Sequence, residues 1–215
     1  YGIIGTLDEV CYESGENKNE GEMRMSNKVL EKFITGYLYI ILCLFPLVYV
    51  HYYADILYVK YYFYVGCSII LIVMAAVYGI VRFYRLKSQS AAQEETKTAT
   101  LIGKWKGLSV PEKLMLGYLL AAAVSTFQSD YFYESFWGNE GRLTGLFLTI
   151  FYVVCFLLIG RYANVKIRLI DAFLFVGNLV CLFGITDYFQ MDILGFKENM
   201  VPDQLLMFTS TIGNI

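Results

Sequence analysis

The sequence predicts an all-α fold: a polytopic bundle of about five transmembrane helices, N-terminus inside and C-terminus outside. Three observations predict it. Of the 215 residues, 57% are apolar and only 17% charged, against roughly 25% charged in an ordinary soluble domain. Apolar runs recur at lengths suited to a hydrocarbon core about 30 Å thick, which takes roughly 20 helical residues to cross. Lysine and arginine collect in alternate connecting segments, as the bias of cations toward the cytoplasm requires. The formal net charge of −2 gives no reason to expect nucleic acid as a partner.

Residues 1–32 form a polar N-terminal segment ahead of the membrane domain, 33–215. Two readings of residues 1–22 stand side by side. They are upstream sequence translated from a mis-set start, since Met23 and Met25 directly precede SNKVLEKF, or they are a disordered cytoplasmic tail. The first span is expected near 33–50, with Pro46 tolerated close to its end or as a kink. The second is expected near 61–81. A third near 110–127 has a short apolar core, Leu114–Phe127, but Ser109-Val110-Pro111-Glu112 fits a capping box that adds a helical turn in front of it. The fourth and fifth fall near 143–160 and 169–189. Within the cytoplasmic loop 82–109, SQSAAQEETKTAT (88–100) has no apolar period and reads as a flexible linker.

Charge parity supports the third span. Arg82, Arg85, Lys87, Lys97, Lys104, Lys106 and Lys113 precede it, and Arg161, Lys166 and Arg168 join the fourth and fifth. Both groups lie on the cytoplasmic side only if the third run crosses. The outer segments 51–60, 128–142 and 190–215 then carry only Lys60, Arg142 and Lys197. His51, Tyr52, Tyr53, Tyr131, Phe132, Tyr133, Phe136 and Trp137 gather at the same outer face, as an interfacial aromatic belt does. His51, the only histidine, reads as part of that belt.

Few residues stand out as carriers of chemistry. Cys43, Cys67, Cys155 and Cys181 lie inside apolar runs and read as small packing residues; no Cys or His spacing suits a metal, and no metal or cofactor is expected. Asp171 and Asn178, seven residues apart, share a helix face, and polar groups in a span usually turn to the bundle interior. An interhelical hydrogen bond is their expected use. In FWGNEGRLTG (136–145), Arg142 stands among Gly138, Gly141 and Gly145 at the mouth of the fourth span. A cation there either snorkels to the interface or grips phosphate oxygens with its planar guanidinium. Ser210, Thr211, Gly213 and Asn214 offer hydroxyl, amide and backbone donors suited to phosphate or polyhydroxyl groups, while by composition alone the stretch reads as a loop.

FWGNEGRLTG, directly followed by a span, resembles the F-W-G-x-x-x-R-x-x-G pattern of the bacterial O-antigen ligase and polymerase family. FTSTIGNI (208–215), one helix pair later, resembles that family's S-T-x-G-N-P-N stretch up to its first Asn. The resemblance covers residues 114–215. It implies the N-terminal part of a multi-pass cell-membrane glycosyltransferase that moves a glycan from a polyprenyl diphosphate carrier to an acceptor at the outer face, among membrane lipid and with no cofactor. Arg142, Gly138, Gly141, Ser210, Thr211, Gly213 and Asn214 fall on the motif positions as substrate-binding residues. Catalytic residues are expected beyond residue 215. Leu206, Met207, Phe208 and Thr209 stand where the family often has an Arg. The alternative is a transporter or lipid-linked glycan flippase whose route Arg142, Asp171 and Asn178 line; a non-catalytic membrane scaffold is a third.

Overall fold

The protein is seen in a computed structural model that describes residues 27–48, 56–89, 107–139, 142–189, 191 and 195. Among them there is helix and connecting loop but no strand. Three helices are long and apolar enough to cross a membrane: Asn27–Leu47, Ile56–Tyr84 and Ile167–Thr186. They lie in α1 (Asn27–Leu47), α2 (Ile56–Gln89) and α6 (Ile167–Tyr188). Between α2 and α6 come α3 (Val110–Phe127), the short α4 (Phe132–Trp137) and α5 (Leu146–Tyr162).

Several boundaries differ from the sequence expectation for physical reasons. Residues 27–32 are already helical, so the polar segment drawn to residue 32 ends inside α1. Lys28, Glu31 and Lys32 extend it as good helix formers. Pro46 leaves its mark at the other end. Proline has no N–H, and its ring crowds the carbonyl four residues back. The helix responds by widening over Ile40–Leu44 and tightening into a 3-10 turn over Phe45–Leu47. α2 is helical through Gln89, eight residues past the expected end at 81. α3 spans the expected residues and begins on the expected cap. The Glu112 carboxylate accepts from the Ser109 N–H at 2.7 Å and from its hydroxyl at 3.0 Å, with Pro111 in the first turn.

Polar side chains tie one end of these helices together. Arg161, at the end of α5, donates through Nε to Glu112 in the first turn of α3 at 2.8 Å. Asn164, just past α5, donates to Glu31 of α1 at 2.8 Å. Tyr78, late in α2, donates to Asn27 at the start of α1. So α1 and α3 run one way, α2 and α5 the other. Leu30, Ile34 and Tyr37 of α1, Leu71 of α2 and Cys155 of α5 form the core between them. α6 packs on the Ile40–Leu47 part of α1.

Candidate functional site

FWGNEGRLTG lies at the far end, between α4 and α5, and its shape begins with Ser129. The Ser129 hydroxyl accepts from the Tyr131 N–H at 3.2 Å and from the Ser135 hydroxyl at 2.9 Å, turning the chain into α4. Rings then fix α4 between its neighbours. Phe127, at the end of α3, stacks on Phe132 at 5.7 Å, and Phe132 stacks on Phe136 at 5.8 Å. Trp137 meets Phe147 of α5 at 5.0 Å, and Phe147 meets Phe151 at the same distance. An unbroken line of rings thus joins α3, α4 and α5.

Two glycines close the loop. Gly138 has φ +94°, and a Cβ there would stand 2.4 Å from the backbone of Leu143 and Thr144. A Cβ on Gly145 would stand 2.3 Å from the Phe136 carbonyl oxygen and 2.4 Å from the Gly138 nitrogen. The backbones of 136–138 and 143–145 therefore lie against each other with no room for side chains between. Inside the loop, the Asn139 carbonyl accepts from both the Arg142 and Leu143 N–H groups, each at 3.1 Å. Leu143 has φ +51°, a left-handed conformation that costs a non-glycine residue about 1–2 kcal/mol. Such strain persists only where the surroundings over-determine it, and it gathers at sites of function. Its effect is to present Arg142, whose side chain is exposed, on a loop shut at its base.

Of the residues singled out in the sequence, the structure thus brings Gly138 and Arg142 together on one loop and gives Gly138 the closing role. Gly145 and the left-handed Leu143 complete the loop. Gly145 was legible as a residue suited to close approach, but nothing in the sequence marked Leu143. Gly141, Ser210, Thr211, Gly213, Asn214 and His51 lie outside the described residues. Tyr131, Tyr133 and Trp137 are exposed around α4.

Three further features bear on function. A polar cluster is buried between α1, α2 and α5: the Tyr37 hydroxyl lies 2.9 Å from Ser68 Oγ and donates to Cys155 Sγ at 3.5 Å. Sequence reasoning missed Tyr37 and Ser68, because the three residues are far apart in the chain. Lys60 is buried, with its ammonium 5.7 Å from the centre of the Phe45 ring. Glu112, in the first turn of α3, meets the Arg161 guanidinium at 2.8 Å and the Ser109 N–H at 2.7 Å. Asp171 and Asn178 depart from expectation. They do share a face of α6, but both are exposed and lie opposite the packed Leu169, Val176 and Val180. The only described hydrogen bond of Asn178 runs to its own helix, at Leu174 O, 2.9 Å. Among the described residues no group of three His, Cys, Asp or Glu side chains could hold a metal ion.

No family model, curated protein or solved structure matches the chain. The functional reading accordingly rests on the loop itself and on the motifs it carries.

Proposed function

We propose that the chain is the N-terminal part of a bacterial membrane polysaccharide ligase or polymerase, in which Arg142 grips the diphosphate of a polyprenyl-linked glycan at the outer membrane face. The observation that carries this is the closed loop 138–145, which spends two glycines and a left-handed leucine to hold one exposed arginine in place. The proposed topology is five spans, α1, α2, α3, α5 and α6, with the N-terminus inside. Two points favour it. α1 and α3 begin at the end where α2 and α5 finish, and the cation-rich segments around Arg82 and Arg161 adjoin that end. Arg142 belongs to the opposite end, beside the exposed aromatics of α4.

The chemistry needs little more than placement and charge. A polyprenyl diphosphate is already a good leaving group. A guanidinium fork that meets two phosphate oxygens orients it and offsets the charge that grows as the glycosyl bond breaks. Glycan acceptor, carrier and membrane lipid are the proposed partners. The transporter alternative used Asp171 and Asn178 as lining for a route, and the exposed face of α6 that carries them lies away from the packed helices. In membranes carrying the full-length gene product, Arg142→Ala should lower glycan transfer about a hundredfold. That is the loss of roughly 3 kcal/mol of transition-state stabilisation, with inserted protein unchanged. Arg142→Lys should stay clearly impaired, because an ammonium lacks the planar fork. Transfer by Arg142→Ala within a few-fold of the parent would refute the assignment.

A further inference from the structure

We propose that a groove between α1 and α2 holds one acyl chain of an anionic phospholipid, in the leaflet that meets the start of α1. This goes beyond glycan transfer and does not depend on it; in the topology proposed above, that leaflet is the cytoplasmic one. The two helices run antiparallel, tied by Tyr78 to Asn27 and by Tyr37 to Ser68. Beside these ties they enclose a cavity of about 530 Å³. Phe33, Gly36 and Ile40 line it from α1, and Cys67, Ile70 and Met74 from α2. Lys32 is its one charged lining residue. The Tyr37 ring also lines it, but its hydroxyl is spent on Ser68 and Cys155. Gly36 gives the groove its room, since a Cβ there would meet nothing within 4 Å.

Length and charge select the occupant. From Val29 to Ile40, the ends of its α1 wall, a helix rises roughly 16 Å. That is about half of a hydrocarbon core about 30 Å thick, the depth of one leaflet. The groove stops where α6 packs on the Ile40–Leu47 part of α1. Another transmembrane helix, from this chain or a second copy, would need a seat along the whole span. A lipid chain needs only its own leaflet. The cation stands where the headgroup would be. Lys32 lies within the first two turns of α1, helix side chains lean toward the helix start, and a lysine stem carries its ammonium to the membrane surface. Lys28, one turn earlier on the same face, is exposed and adds a second charge. Glu31, between them in sequence, is turned instead to Asn164, at 2.8 Å. Lysines so placed draw anionic headgroups to them.

The probe is phosphatidylglycerol with a photoactivatable diazirine midway along one chain, in vesicles that carry the full-length protein. Cross-links should concentrate on the peptides holding residues 33–40 and 67–74. Their yield should stand well above that at Leu120, an exposed residue of α3 that samples ordinary boundary lipid. Gly36→Leu should remove most of the groove yield while inserted protein and thermal midpoint hold. The new side chain fills the groove without a backbone clash, and leucine suits a helix better than glycine. Lys32→Gln should cut the advantage of this probe over the matching phosphatidylcholine about fivefold, the scale of one cation near a membrane surface. Should Gly36→Leu insert poorly, Lys32→Gln, altered only in an exposed side chain, still decides. A groove yield no greater than that at Leu120 overturns the proposal, whether ordinary boundary lipid, another segment or a second copy covers the site. So does a Gly36→Leu yield equal to the parent's, or a Lys32→Gln protein that keeps the full lipid preference.

Discussion

At the end of the bundle that holds Ser109 and Arg161, side-chain hydrogen bonds cross between helices; at the end that holds Arg142, backbone contact and stacked rings do the joining. Both ends carry an arginine beside a helix of the apolar α3–α5 pair. Arg161 is engaged with Glu112 at 2.8 Å and helps fix the ends of α3 and α5. Arg142 stands exposed on a loop that Gly138 and Gly145 close. The difference teaches how to weigh a cation at a membrane surface. One whose partner lies in the protein maintains the fold. One that the backbone leaves exposed, beside a left-handed leucine, is the one that the proposed function assigns to a ligand.

The largest effect should come from the loop base. Gly145→Ala drives a Cβ into the backbone of Phe136 and Gly138, which cannot step aside as a flexible side chain would. A cost of about 3 kcal/mol or more is expected, seen as loss of thermal stability in detergent together with loss of the proposed glycan transfer. Gly117→Ala is the matched control. Its Cβ would meet nothing within 4 Å, and the better helix propensity of alanine should leave stability equal or slightly higher. Similar behaviour of the two variants would break the picture of a backbone closure.

Next in size is the contrast between the arginines. Arg161→Ala should lower the thermal midpoint while the proposed transfer per folded molecule stays near that of the parent, the reverse of the Arg142→Ala pattern. The measurement is the pair of readouts on both variants, and matching patterns would erase the distinction drawn between the two ends.

The smallest effect concerns the cap of α3. Glu112→Gln keeps an oxygen that can accept from the Ser109 N–H but removes the charge that Arg161 meets at 2.8 Å, so it should lower the thermal midpoint less than Glu112→Ala, which loses both contacts. Equal losses would assign the effect of the substitution to packing instead of the cap and the ion pair.

Much of the helical framework was legible in one dimension. Apolar run length marked α1, α2 and α6, and Ser109 with Glu112 marked the start of α3, because a helix cap is made by residues three apart. The shared face of Asp171 and Asn178 followed from helical period alone. Glycine's tolerance of close approach was legible at Gly138 and Gly145 as a property of each residue. What only the tertiary structure decided is which partners meet. Gly138 abuts Leu143 and Thr144, Arg161 finds Glu112 across 49 positions, and Tyr37 reaches Cys155 across 118. The outward turn of the Asp171 face belongs here too. Periodicity orders residues around a helix axis but leaves the rotation of that axis free. The rotation is set by which side finds the better packing, and on α6 the side with Leu169, Val176 and Val180 is buried while the amide and the carboxylate are left exposed.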